Sequence, residues 1–314
     1  MTYSAGGLIE ASDYNGFAGG NGGGANVSGQ LNTVLGTGYG NAGYGQTPVA
    51  NVSVSGQVTA AQWTTLVNGV NTVRKHQSGV GFTNLSTYTA GTVINATNDV
   101  GTNLTTAYTD RLTSAAAGPT FNQPNQTASI NTSSASAVDF NFSRTATFGS
   151  SDQARYFFNA GGTIAIQITS TTNTGGTTRG AALLDVIDNC TGKTMSAITF
   201  NAITTPAPFT ENTDVTNLGY YGQTTANVEV YKNTGSNSGS AYNAQFARVL
   251  TKVTGTAGSN GGKGNTITFS IESQSPAQSP AFDDSINVTV NHRLQVIYPS
   301  TTYLVNTWGS VTFG

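Results

Sequence analysis

Charge is the scarcest commodity in this chain: 314 residues carry only 12 basic and 14 acidic side chains, with two histidines besides. Charged residues make up 8% of the sequence, against roughly 25% in ordinary globular proteins. Acid–base, metal and phosphoryl chemistry all draw on the missing residue types, so the composition argues for a structural or binding protein and against an enzyme. Clustered Lys and Arg are also missing, which excludes strong electrostatic capture of nucleic acid or of an anionic membrane. The nearest thing to a cluster is Arg74-Lys75-His76, which falls at a predicted helix end, where cations favour the helix dipole. Cys190 is the single cysteine, so no intrachain disulfide and no cysteine-based metal knot can form. No stretch approaches the ~20 apolar residues of a membrane-spanning helix. The first residues, Met1 to Gly7, carry neither a basic n-region nor an apolar h-region, so the chain is expected to be made in the cytoplasm without secretory export.

The missing charge is replaced by Thr, Ser, Asn and 39 glycines. Such a composition is not that of a disordered chain, which combines high net charge with few aromatics. Here the net charge is −2 and 9% of residues are aromatic, with Val, Ile, Phe and Tyr in patterned runs. β-Branched Thr and abundant Gly favour short strands joined by tight turns.

Residues 1–115 carry helical periodicity and read as a small helical module. Thr59 followed by Gln62 has the spacing of a capping box. Trp63, Leu66, Val67, Val70 and Val73 then form one apolar stripe, predicting a helix over about 60–76 that stops before Gly79. A shorter helix is predicted over 27–35, with Asn26 as cap and Val27, Leu31 and Val34/Leu35 inward, and a further one over 97–113 through Val100, Leu104, Tyr108 and Leu112. Asp13 is placed to start a turn through Tyr14 and Phe17. The Gly/Tyr-rich segment Gly36–Gln46 lacks the Gly-Lys-Ser/Thr of a phosphate loop, and its rings are expected to pack against a neighbouring surface.

Residues 116–127, with Gly118-Pro119 and Gln123-Pro124, read as a linker. Over 128–314 the period becomes two. Val138/Phe140/Phe142, Ile164/Ile166/Ile168, Ile198/Phe200, Val228/Val230, Phe246/Val249/Leu250, Ile267/Phe269, Ile286/Val288/Val290, Leu294/Val296/Tyr298 and Val311–Phe313 mark about eight or nine strands. Two helical inserts are predicted, Ser151–Phe158 capped by Ser150 or Ser151, and Arg179 to about Asn189; each is expected to cover an open end or face. The fold class is therefore α+β: a small helical N-terminal module followed by a mainly antiparallel β-sandwich with two short helical inserts.

Few residues are available for catalysis. His76 and His292 sit in a helix end and a strand pattern, and no Gly-x-Ser-x-Gly elbow occurs. Paired carboxylates for glycan cleavage are limited to Asp283-Asp284, Asp185/Asp188 and Glu211/Asp214, of which adjacent Asp283 and Asp284 read better as turn formers. No EF-hand-like spacing is present, so no metal and no cofactor is expected. The candidate contact residues divide into two sets. Trp63, Leu66, Val70, Tyr39 and Tyr44 are the candidates for a subunit interface; Tyr220, Tyr221, Tyr242 and Trp308 are the candidates for stacking on a glycan or receptor.

The run Ala154-Arg155-Tyr156-Phe157-Phe158-Asn159-Ala160-Gly161-Gly162-Thr163-Ile164 resembles a motif of virion structural proteins of tailed bacteriophages, especially cyanophage-like marine phages. In those proteins a β-strand and a Leu-Leu-containing helix follow it, as with Leu183-Leu184 here. Leu8–Asn15, Gly43-Tyr44-Gly45-Gln46 and Thr59–Trp63 are similar to the opening segment of the same proteins; residues 205–290 carry no matching motif. The resemblance implies a virion location and no catalytic residues. It implies a tail-associated fibre or appendage that contacts other virion proteins and forms a homo-oligomer, with a trimer as the fibre-based expectation. A neck, baseplate or capsid decoration protein is the alternative placement, and an adhesin binding a host surface glycan is the rival function.

Overall fold

The computed structural model describes residues 10–20, 26–85, 100–133, 135–173, 178–201, 204–236, 240–279 and 285–314. Four helices come first: α1 (Ala11–Ala18), α2 (Leu31–Val34), α3 (Ala60–Ser78) and α4 (Thr102–Thr109). In α3 the capping box forms in both directions. Gln62 N–H donates to Thr59 Oγ1 at 3.2 Å and Thr59 N–H donates to Gln62 Oε1 at 2.8 Å. The helix stops at Gly79, whose φ of +80° returns its N–H to Lys75. All five stripe residues of α3 are buried, and Tyr14 and Phe17 of α1 pack on the Trp63 ring at 6.2 and 6.1 Å.

The other helical boundaries differ from the sequence reading. The helix expected over 27–35 is confined to Leu31–Val34, because Gly29 sits at φ +86° and Gln30 is extended, which blocks any earlier turn. Val27 is exposed, and Asn26 instead pairs its side-chain amide with both backbone groups of Tyr39. Asp13 lies inside α1, which begins after Glu10. The helix expected over 97–113 is ordered as α4 only to Thr109, its first residues 97–99 lying outside the described ones.

The sandwich comprises β1 (Ala117–Asn122), β2 (Gln126–Thr132), β3 (Val138–Thr147), β4 (Thr163–Asn173), β5 (Thr194–Met195), β6 (Thr210–Asp214), β7 (Val228–Thr234), β8 (Phe246–Thr254), β9 (Thr266–Ser275), β10 (Ile286–Pro299) and β11 (Thr312–Phe313). One antiparallel sheet of five strands runs β1–β10–β4–β5, with β2 beside β1 on the same flank of β10. The other, of six strands, runs β11–β3–β9–β8–β7–β6. The inserts are α5 (Ser151–Asn159), capped by Ser150 as expected, and α6 (Thr178–Asp188). α6 packs against β8 and β9 of one sheet and β4 and β10 of the other, so it fills the space between the sheets.

Residues 116–127 are not a linker. They are β1 and the start of β2, both paired with β10. Pro119 is accommodated because β1 is an edge strand with a register shift at that point, and a Cβ at Gly118 would lie 2.4 Å from the Pro299 carbonyl. Between the two strands Gln123 is buried, its Oε1 accepting from Arg144 Nε at 2.9 Å and from the Leu294 N–H at 3.1 Å. The two apolar runs of 286–298 form a single 14-residue strand, with every even position from Ile286 to His292, Leu294 and Val296 inward. Ile198, expected in a strand, is exposed, and only Phe200 of that pair is buried. The helical region is also not a separate module: Trp63, Phe157, Ile166 and Trp308 belong to one continuous buried cluster that runs from the helices into the sandwich.

Candidate functional site

Two of the segments that carry the phage resemblance, 154–164 and 43–46, meet in space, and the contact is built around one buried cation. In the loop Gly36–Gln46, Gly38, Gly40, Gly43 and Gly45 all have φ between +52° and +90°. At Gly43 this is obligatory, since a Cβ there would lie 2.1 Å from the Thr37 carbonyl oxygen. Gly45 presses against the Tyr156 ring, where a Cβ would come within 2.5 Å. These turns aim backbone carbonyls at α5. Arg155, fully buried, donates from Nη1 to Ala42 O at 2.7 Å and from Nη2 to Thr37 O at 2.7 Å, while its Nε reaches Asp152 at 3.2 Å. One turn later Asn159 Nδ2 donates to the carbonyls of Ala42 and Gly43, each at 3.0 Å. The Tyr221 hydroxyl donates to Gly40 O at 2.5 Å, and the loop is completed by Gly40 N–H donating to Asn260 O at 2.7 Å.

This polarity is the reverse of a phosphate cradle, which presents N–H groups to an anion. Here carbonyls converge on a guanidinium of the same chain, so the loop is a structural clamp. The rings of the loop divide as well. Tyr44 is buried, with its hydroxyl donating to Arg111 O at 2.9 Å and its ring edge on His76 at 5.1 Å; burial pushes its phenol well above the usual range. Tyr39 stays exposed.

The predicted site residues are mostly core. Of the interface set, Trp63, Leu66, Val70 and Tyr44 are enclosed by their own chain, leaving Tyr39 with an accessible ring. Of the glycan set, Tyr220, Tyr242 and Trp308 are buried, and a sugar cannot stack on a ring that is already covered. Tyr220 stacks on Phe158 at 4.7 Å and donates to Gly264 O at 2.8 Å, its phenol pushed up to about 12 by burial. Tyr221 is partly buried and its hydroxyl belongs to the clamp.

The titratable groups are likewise built into the fold. Burial and, at His292, the neighbouring Arg144 hold both imidazoles down at about 4. His76 Nε2 bonds Ala160 O at 3.1 Å, while His292 packs on Phe142 at 4.4 Å. The Cys190 thiol is pushed up by burial, away from a reactive thiolate. Glu229 and Glu272 are held by Arg248, and Lys193 pairs with Asp214. Asp283 and Asp284 lie outside the described residues, and no cluster of three metal-ligating side chains occurs among the described ones.

The histidines set an acid limit. Both fold neutral with pKa near 4 against an ordinary 6.5, so their stabilisation is complete above about pH 6.5 and is lost as pH falls from there to about 4. For His76 the loss is on the order of 3 kcal/mol. The melting temperature is expected to fall between pH 7 and pH 4.5, and His76→Gln, which keeps a donor for Ala160, is expected to flatten that fall. Melting curves that coincide at the two pH values would count against this role.

Arg155 and Asn159 were not read from the sequence as working residues, nor was Arg179, which is buried with Nε on Ser275 Oγ at 2.8 Å and Nη2 on Ser136 O at 2.8 Å. A usable signal existed: in so charge-poor a chain, an Arg flanked by Ala154, Phe157 and Phe158 lies on the apolar face of its helix. Compared with family models, curated proteins and solved structures, the chain matches none.

Proposed function

We propose that this chain is a structural component of a tailed-phage virion, a tail-associated fibre or appendage protein that acts through assembly contacts with copies of itself and with other virion proteins. The motif resemblance supports the virion reading, and the conversion of the aromatic and charged residues into internal supports leaves assembly as the work of the surface.

The observation that carries the assembly reading is an open sheet edge. Sheet edges invite pairing with other chains, and proteins blunt them with short strands, charge, Pro or bulges. Four edge strands here are blunted. β5 and β11 have two residues each, and β6 carries exposed Glu211 with a register shift. β1 is blunted by Pro119 and its own register shift. β2 has none of these devices: Gln126–Thr132 is seven residues long, uncharged, Pro-free, regularly paired to β10 on one side and outwardly exposed at Gln126, Thr127, Ser129 and Asn131. Antiparallel pairing of β2 with β2 of a second copy about Ser129 sets Thr127 opposite Asn131 and Ala128 opposite Ile130, a self-complementary match of small polar and apolar side chains. Beside it, exposed Phe121 stacks on Phe313 at 5.4 Å.

The double variant Thr127→Lys with Ser129→Lys puts like charges across that junction. It is expected to keep the wild-type melting profile while losing self-association in sedimentation velocity and incorporation into particles. Unchanged association and incorporation would remove β2 as the assembly edge. Normal assembly with host adsorption abolished by Tyr39→Ala would favour the glycan-binding adhesin instead.

A further inference from the structure

We propose that Lys193 and Asp214 are joined by an isopeptide bond, formed within the folded chain by loss of water between the lysine amine and the aspartate carboxyl. The bond is internal to one chain and stands independently of what the protein assembles with.

Lys193 lies just before β5, with its carbonyl accepting from the Ile166 N–H of β4, so its backbone belongs to the edge of the five-stranded sheet. Asp214 ends β6, the edge of the six-stranded sheet, opposite Tyr231 of β7. The side chains reach across the gap between the sheets, and Lys193 Nζ contacts Asp214 Oδ1 directly. The Lys193 side chain is 0% exposed and that of Asp214 11%. Tyr231 shields the amine, its ring centre 5.3 Å from Nζ, and the buried Cys190 lies alongside.

Two features turn this contact from an ion pair into a reacting pair. An ammonium and a carboxylate enclosed together cost more in lost hydration than their attraction returns unless further hydrogen bonds support them. Among the described residues the Lys193 ammonium makes its only hydrogen bond to Asp214, whereas Arg155 and Arg179, the other two fully buried cations, each have several acceptors. Condensation removes both charges and releases the water. Reactants held in contact in one orientation also gain the effective molarity that speeds intramolecular acyl transfer.

The step balances without a co-reactant. One proton passes from the Lys193 ammonium to the Asp214 carboxylate along the existing hydrogen bond, giving an amine and a carboxylic acid. The Nζ lone pair attacks Cγ, the new N–C bond forms, and a second amine proton moves to the departing hydroxyl. The C–O bond breaks and water leaves, with no change of oxidation state. The product is a neutral amide tying the edge of one sheet to the edge of the other, on the flank opposite the Phe121–Phe313 stack.

Intact-mass measurement of the purified, denatured full chain tests this. The wild type is expected to be lighter than its sequence by one water, and proteolysis is expected to release a branched peptide containing both Lys193 and Asp214. Lys193→Arg keeps a cation for Asp214 but has no amine to attack, and is expected at the full mass of its own sequence. A wild type at full mass overturns the proposal, as does a water loss that persists in Lys193→Arg.

Discussion

Replacing Arg155 with alanine is expected to remove about 3–5 kcal/mol of folding stability, a large part of what a domain of ordinary stability has. The guanidinium is fully enclosed and donates to carbonyls contributed by Thr37 and Ala42, with Asp152 on its remaining edge. Those carbonyls are aimed at α5 by glycines in left-handed conformations, so the loop cannot simply rotate them toward other donors. Truncation therefore combines a cavity with the loss of the guanidinium donors to the Thr37 and Ala42 carbonyls, of which Ala42 keeps Asn159 Nδ2. Arg155→Lys is expected to recover little, because an ammonium cannot fork between two carbonyls held by a planar guanidinium. Arg155→Met restores the bulk without the donors, and so separates the packing loss from the hydrogen-bond loss. Urea unfolding followed by near-ultraviolet circular dichroism reads all three, since Trp63 reports on the helices and Trp308 on the C-terminal segment. A loss below about 1 kcal/mol for Arg155→Ala, within the range of a single ordinary hydrogen bond, would show that the loop is held by something else.

Trp63→Ala is the second large effect, at about 3–5 kcal/mol. The indole is fully buried and receives the edge of Phe17 and the ring of Tyr14, so its removal empties the centre of the helical region. Because that region shares its apolar cluster with the sandwich, the whole chain is expected to melt earlier in one transition. This result separates a core role from an interface role. An interface tryptophan would leave the melting of the dilute monomer unchanged and alter only the concentration dependence, and that outcome would return Trp63 to the list of contact residues.

The elements legible in the sequence were those whose signal is local. Thr59, Gln62 and the stripe from Trp63 to Val73 define α3 because cap and periodicity lie within one helix, and Ser150 does the same for α5. The alternation at Phe140/Phe142 or Ile164/Ile166 likewise needs only neighbouring residues. What could not be read depends on distant partners. Gly118-Pro119 reads as a break, yet β1 forms because residues 295–299 of β10 supply its ladder. Val27 fits a helical stripe, but a left-handed Gly29 uncouples it from α2. Aromatic content alone does not say whether a ring faces a partner or the chain's own core, so eight of the nine nominated contact residues proved to be wholly or partly enclosed. The candidate site was least legible of all: Lys193 contributes nothing to an apolar period, and the apolar flank of Arg155 marks it as inward without showing the distant loop carbonyls it meets.

The clamp on the glycine loop also imposes an order on synthesis. Gln46 exchanges hydrogen bonds with the backbone of Val305, and Thr307 Oγ1 donates to Tyr44 O, so the loop's last partners lie about 260 residues downstream. Those bonds cannot exist on a growing chain until the ribosome has passed Thr307. Until then Tyr44 and its neighbours have only part of their native surroundings, and the early helices must wait, incompletely covered, for a segment translated long after them.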